Sequence, residues 1–488
     1  MREKDTSLIG DFAEESPAAD EISAGQAEGH KKRGFSSKIG FVLAAAGSAV
    51  GLGNLWRFPY LAAKYGGGIF LLCYIVLAVT VGFTLLVLEI AIGRRTGKGV
   101  IGAFAELNKK FKWFGFLCLV VPIIIVPYYC VIGGWVTKYI WSFLVGSEGL
   151  LVSGADTATY FLSFIENPWQ PLIFFLIFAA ATIAVVVFGV QKGIERISKI
   201  LMPALAVLAL FLMIYVLCQP GAFDGVKYLF IPDFSKFGYE TLLTALGQLF
   251  YSMSLAMCIM ITYGSYMKKA ANIRTAARQI SICDTCFAIV AAMIIIPSIY
   301  AFSADPEGAL SSSGPSLMFI QLPSVFNNLP GGRWIGMIFF ILVFFAALTS
   351  SISLVEAIVA VLRENCKLKR WVACAIVFGV ILVLGTLSSL GFGVLSGVSI
   401  TAPSGTTYSI LDMFDYLSNS ILMPIVAILT CIIAGYFIDQ KILPEEIGIL
   451  NQRGRLRYFR IMIRYVAPVC MAAILITGIV FNLILPPL

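Results

Sequence analysis

Histidine is almost absent. One residue, His30, stands in 488, within a polar amino-terminal stretch. That excludes histidine-based acid–base catalysis and a histidine-rich metal centre. Charge is scarce too: 13% of residues are charged and 59% hydrophobic. No soluble fold has that balance, so the chain reads as a polytopic membrane protein. The eleven cysteines are scattered, mostly in apolar segments. Cys283 and Cys286 form a C-x-x-C with no second pair and with apolar helical flanks, so they read as small core residues, not a zinc or redox site. There is no phosphate-binding loop and no nucleophile–base pair, so no catalytic residues and no enzyme activity are expected. The net charge of +8 is not read as a nucleic-acid signal; its placement matters more than its sum.

What is present is organised around Gly47–Pro59, GSAVGLGNLWRFP. This stretch lies in an apolar segment long enough to cross a bilayer, yet it is poorly built for a helix. Gly47, Gly51 and Gly53 each cost about 1 kcal/mol against Ala in a helix interior. Asn54 and Arg57 then place polar groups at membrane depth. Gly47 and Gly51 alone would equally suit a small-xxx-small packing surface. With Asn54 and Arg57 added, the stretch reads as a broken helix whose freed backbone groups bind an ion or ligand.

Residues 1–33 read as a disordered acidic tail ending in a basic run, and 34–488 as the transmembrane domain. No signal peptide is expected before the first span. At about 20 apolar residues per crossing, eleven spans are expected, near 39–63, 67–92, 113–144, 169–189, 195–218, 240–266, 281–303, 333–362, 371–390, 411–437 and 461–485. With the amino terminus cytoplasmic and the carboxyl terminus outside, all basic residues but Arg57, Lys64, Lys138, Lys227, Lys236 and Arg333 fall on the cytoplasmic side. The expected location is a plasma membrane, with the lipid bilayer as partner. The outer loop at 304–332 is apolar enough to be a short helical hairpin resting on the bundle.

Span six carries hydroxyls at mid-span, in Gln248–Cys258, and reads as a second interruption. Spans one and six open two sets of five. The fold class is therefore an all-α membrane protein of eleven transmembrane helices. It has an inverted five-plus-five repeat, interrupted helices one and six, and a site at the midplane. Repeat one covers about 38–218, repeat two about 240–437, and an extra helix about 461–485. Thr349, Ser350 and Ser351 of span eight either back-bond to their own helix or offer hard oxygens to Na⁺. Asp284 of span seven needs a partner or an ion. Glu89 lies on span two, and Asp412 and Asp415 on span ten.

The motif GSAVGLGNLWRFPY resembles that of the neurotransmitter:sodium symporter family, bacterial eleven-helix branch. The YY…GGW of span three, GQLFYSMSL…ITYGSY of span six, FFAALTSS of span eight and LDMFDY of span ten support it. The resemblance runs from about Lys32 to the end. It implies sodium-coupled symport by alternating access, with two sodium ions as co-substrates and no other cofactor. One sodium would meet the Ala49 carbonyl, Asn54, Ser252, Asp284 and the substrate carboxylate. The other would meet the carbonyls of Gly47, Val50 and Ala346 and the hydroxyls of Thr349 and Ser350. The substrate would lie against Ala49, Gly51, Gly53, Tyr129, Tyr251, Ser252, Ser254 and Ser350, with Ile125, Met257 and Leu354 around its side chain. Arg57 and Asp415 would form an outer gate, bidentate or water-bridged. Lys32 or Arg33 with Glu364, beside Phe35 and Tyr266, would form an inner one.

Several positions bear on substrate and ion preference. The family often has glycines where this chain has Ala256 and Cys258, which bears on pocket size. Amine-carrying members have an acid where this chain has Gly51, so a neutral, largely apolar L-amino acid is expected. Asp284 stands for the usual sodium-shell asparagine, and Ala288 for a carboxylate found in chloride-independent members. Chloride is therefore not expected to be required. An amino-acid sensor, or a carrier of another small zwitterion, is the alternative.

Overall fold

Ser37 opens the first span. Its hydroxyl accepts the Gly40 N–H at 3.0 Å, a helix N-cap. The helix Lys38–Ala49 runs to the glycine-rich stretch and breaks. It resumes as Gly53–Lys64, bent by 51°. Pro59 stands just past the wide turn Gly53–Arg57, where the helical hydrogen-bond register changes.

The structure, a computed structural model, describes residues 34–146, 150, 156–303, 306, 308, 316–327, 329, 331–403, 405 and 407–480. Among them, nine further helices are long and apolar enough to cross a bilayer. Spans two to five are Gly68–Thr96, Lys109–Val145, Gln170–Val187 and Val190–Leu217. Spans seven to eleven are Ile273–Phe302, Gly332–Asn365, Arg370–Leu390, Ile410–Phe437 and Arg453–Ile479. Span six is two helices, Tyr239–Ser252 and Ile259–Ser265, with irregular backbone at 253–258. A helix thus stands at each of the eleven expected positions, and spans one and six are the interrupted ones.

Three details differ from the expectation. The last helix begins at Arg453, eight positions before the expected 461. Its first turns hold Arg455, Arg457 and Arg460, which an apolar count rejects, although their stems can lie along a membrane interface. Cys286 is exposed and Cys283 only half-buried, so this pair is not core. A two-stranded antiparallel hairpin, Ile400–Thr401 with Thr407–Tyr408, joins spans nine and ten.

Spans three and eight are enclosed along most of their length, whereas five and eleven turn most residues outward. Above the bundle, the described part of the 304–332 loop is helical over Leu317–Asn327. Phe319 anchors it, stacked on Phe161 at 5.3 Å and edge-on to Trp135 at 5.7 Å. Such ring pairs add about 0.5–1.5 kcal/mol each beyond area burial. Phe319 also meets Trp56 of span one at 6.3 Å, which ties this cap to the second half of the broken helix.

Candidate functional site

The two interruptions face each other. Leaving the helix at Val50 frees carbonyls in span one, and hydroxyls from two other spans take them. Ser254 of span six donates to the Ser48 carbonyl at 3.0 Å. Ser350 of span eight donates to the same carbonyl at 3.0 Å and lies 3.4 Å from that of Gly47. Gly51 and Gly53 are required by proximity. A Cβ on Gly51 would sit 2.6 Å from the Ser350 hydroxyl, and one on Gly53 would sit 2.6 Å from the Tyr251 ring. Packing and site readings of these glycines therefore coincide.

In span six, Ser254, Ala256 and Cys258 adopt φ of +54°, +60° and +64°. Each such left-handed non-glycine residue costs about 1–2 kcal/mol. That backbone explains why glycine suits positions 256 and 258. The Ala256 N–H is held by Glu89 of span two, whose Oε1 accepts it at 2.7 Å. Of residues 256–258 only Met257 lines the central cavity. The extra methyl and thiol therefore strain the backbone, and neither residue lines this cavity.

Asp284, fully buried in span seven, gathers three donors. Asn54 Nδ2 reaches Oδ1 at 2.8 Å, the Ser252 hydroxyl reaches it at 2.5 Å, and the Tyr74 hydroxyl reaches Oδ2 at 2.9 Å. Asn54 Oδ1 in turn accepts from Ser252 at 3.2 Å, so its oxygen points towards the break. Three of the expected first-sodium residues thus form one polar cluster beside Ala49. Tyr74 belongs to the same cluster, and sequence reasoning missed it. A lone tyrosine in the apolar run GIFLLCYIVL gives no local signal of the face it occupies.

The expected second-sodium residues also converge. The Thr349 hydroxyl donates to the carbonyls of Phe345 and Ala346, each at 3.1 Å. A Cβ on Gly47 would lie 3.2 Å from the Thr349 Cβ. Thr349 thus does back-bond to its own helix, while Ser350 turns across to span one.

All eleven expected substrate residues line one central cavity, together with Ser48, Leu52, Asn54 and Ile259. These are Ala49, Gly51, Gly53, Ile125, Tyr129, Tyr251, Ser252, Ser254, Met257, Ser350 and Leu354. The Tyr129 hydroxyl accepts the freed Leu52 N–H at 3.3 Å. The cavity measures about 20 Å³, room for one water-sized group. An amino acid can enter only if the spans move apart.

Tyr251 separates this cavity from an outer vestibule of about 410 Å³, which it shares with Arg57 and Asn419. Arg57 and Asp415 form no direct ion pair, which leaves the water-bridged form of the expected gate. The Arg57 guanidinium lies over the Tyr251 ring, 5.3 Å from its centroid. Asp415 instead accepts from Asn419, one turn further along span ten, at 2.6 Å. Arg57 lines the vestibule, whereas Asp415 does not.

At the opposite end the bundle is closed. Phe35 packs edge-on against Phe41 and Tyr263, both at 5.5 Å, and its N–H donates to the Tyr266 carbonyl at 3.2 Å. The Tyr266 hydroxyl donates to Glu356 at 2.8 Å, and Arg370 pairs with the same buried carboxylate. Glu364 accepts the Gly99 N–H at 2.7 Å. Lys32 and Arg33 lie outside the described residues. The acid that accepts from the Tyr266 hydroxyl is Glu356, about two helical turns before Glu364 on span eight; the partners expected for Glu364 lie outside the described residues. The ion partner of Glu356, Arg370 from span nine, was not anticipated.

Comparison with known proteins fits this geometry. The chain resembles the crystal structure of MhsT in complex with L-phenylalanine, with a TM-score of 0.82 and 35% sequence identity over 92% of this chain and 100% of that one. It is 36% identical over 445 residues to the uncharacterized sodium-dependent transporter YhdH of Bacillus subtilis (strain 168), covering 89% of this chain and 95% of that protein. An uncharacterized sodium-dependent transporter of Haemophilus influenzae is 30% identical over 461 residues, 92% of this chain and 98% of its own length. The sequence profile of the sodium:neurotransmitter symporter family matches residues 32–147 and 164–484. The chain belongs to the sodium:neurotransmitter symporter family and is a sodium-dependent symporter, not an enzyme.

Proposed function

We propose that the protein carries a neutral, largely apolar L-amino acid into the cell with sodium, by alternating access around the central cavity. One observation carries the reading: Asn54, Ser252 and Asp284, from spans one, six and seven, meet at 2.5–3.2 Å beside the break at Ala49–Gly53. This cluster presents hard oxygens suited to Na⁺. A substrate carboxylate would complete the shell while freed amides near Gly51 and Gly53 bind it. Gly51 offers no side chain to pair an ammonium group, so the ligand brings its own anion. Ile125, Met257 and Leu354 give the side-chain end an apolar lining. MhsT, crystallised with L-phenylalanine, is in keeping with such a ligand.

The second sodium would sit among the carbonyls of Gly47, Val50 and Ala346 and the hydroxyls of Thr349 and Ser350. The membrane potential supplies about 2.3 kcal/mol per charge per 100 mV to inward sodium movement. The excess of Lys and Arg at one set of span ends supports an amino terminus in the cytoplasm of a bacterial cell and a carboxyl terminus outside. Uptake of labelled L-phenylalanine and L-leucine into proteoliposomes, with sodium or potassium outside, tests the reading. Accumulation that needs sodium is expected. Binding without uptake would mark a sensor. Tyramine bound as tightly as L-tyrosine would overturn the substrate class.

A further inference from the structure

The basic end of the bundle carries an open groove, away from the transport site, between spans two, seven and eleven. Its volume is about 730 Å³. Arg274 and Arg278 of span seven and Arg455 of span eleven line it, and no acidic side chain does. Arg274 Nε is buried and makes no hydrogen bond. Among the described residues, neither Arg274 nor Arg278 forms an ion pair. The carboxylates of the loop before span eleven, Glu445 and Glu446, are taken by Arg94, Arg95 and Lys269.

Polarity changes along the groove in a fixed order. On span seven the lining runs from Asn272 and Arg274 through Arg278 to Ile282. Arg274 and Ile282 are eight positions apart, about 12 Å of helix. The facing wall of span two is Val79, Phe83 and Val87. Charge is thus concentrated at the bilayer surface and apolar surface lies at depth, the order of a phospholipid headgroup and its acyl chains.

We propose that this groove is a binding site for one anionic phospholipid of the leaflet at the basic end. Its phosphate lies on Arg274, Arg278 and Arg455, and an acyl chain lies along Phe83, Val79 and Ile282. Guanidinium forks match phosphate oxygens, and basic pockets between membrane helices on the cytoplasmic side take anionic headgroups. A free anion gives no reason for the apolar walls. A zwitterionic lipid would bring its ammonium group against three guanidinium groups with no carboxylate to receive it.

The test is native mass spectrometry of the full chain, extracted from vesicles of equal parts phosphatidylcholine and phosphatidylglycerol. Preferential retention of one phosphatidylglycerol is expected. At about 1 kcal/mol for each arginine near the surface, R274Q/R278Q should lower that retention about fivefold per residue. R274K/R278K should keep most of it, and K110Q, elsewhere on the same end, should change nothing. If the double glutamine variant does not fold, R455Q on the peripheral last helix reads the loss of one arginine, about fivefold. Equal retention of the two lipids, wild-type retention by R274Q/R278Q and R455Q, or loss of the bound lipid to added inorganic phosphate would each overturn the proposal.

Discussion

Glu89 Oε1 accepts the Ala256 N–H at 2.7 Å, so a carboxyl group of span two holds the open backbone of span six. Its Oε2 makes no hydrogen bond among the described residues. An unsatisfied buried amide costs about 1–3 kcal/mol. E89A should therefore weaken substrate binding about ten- to a hundredfold. E89Q keeps an acceptor oxygen in place and should remain within a few-fold of wild type in the same equilibrium binding assay. If E89Q proves as damaging as E89A, the role lies in the charge and not in the hydrogen bond.

The alternating left-handed residues of span six give a stability prediction of opposite sign. Ala256 at φ +60° and Cys258 at φ +64° hold conformations that glycine adopts freely. A256G should stabilise the folded protein by about 1 kcal/mol, seen as a higher melting temperature in detergent. Neither side chain lines the cavity, so substrate preference should be unchanged. A shift in preference with A256G would mean that these side chains reach the substrate in another state of the cycle.

Much of this site was legible because its residues violate local rules. Glycines, an asparagine and a carboxylate inside apolar spans stand out without a structure. The partners that complete the site were not legible, because ordinary residues supply them across long separations. Tyr74 is 210 positions from Asp284, and Arg370 reaches Glu356 from the next helix. The gates show the same limit. Sequence placed Asp415 on the outer side, but the local competition from Asn419 depends on helical side-chain geometry within a broadened turn of span ten.

On the outer side, Arg57 rests on Tyr251 while Asp415 stays with Asn419. Closing the vestibule would exchange both contacts for a direct or water-bridged pair over the cavity. D415N removes the attraction that draws Arg57 across. Faster substrate release and slower net uptake are expected, measured by dissociation of labelled amino acid and by vesicle uptake. Unchanged release and uptake would remove Asp415 from the gate.

At the closed end, Glu356 is fully buried and Arg370 is its ionic partner. Removing one member of such a pair costs about 3–5 kcal/mol, because the other charge is left buried and uncompensated. R370Q should shift the population towards the inward-open state, read as faster labelling of a cysteine placed in the inner pathway. R370Q/E356Q should recover part of the closed population. E364Q should act in the same direction as R370Q but more weakly, since a backbone N–H shares that carboxylate. No gain in labelling for R370Q would show that this pair does not hold the inner side shut.

The last prediction concerns chloride. Asp284 places its carboxylate within 2.8 Å of Asn54 and 2.5 Å of Ser252, two residues proposed for the first sodium shell. A negative charge about 4 Å from Na⁺ is worth on the order of 4 kcal/mol at an effective dielectric of 20, before desolvation is subtracted. That is large enough to replace a bound anion. Ala288, one turn further along span seven, is fully buried and supplies no charge, so the compensation falls on Asp284, alone or shared with the buried Glu89 of span two. Tyr74, Asn54 and Ser252 all donate to it, the arrangement that suits a carboxylate. Replacing chloride by gluconate at constant sodium should leave uptake intact. D284N should weaken the sodium dependence or create a chloride requirement. Y74F, which strips one donor from the charged oxygen, should raise the sodium concentration for half-maximal uptake about tenfold. Uptake by the native protein that collapses in gluconate would show that Asp284 does not stand in for the anion.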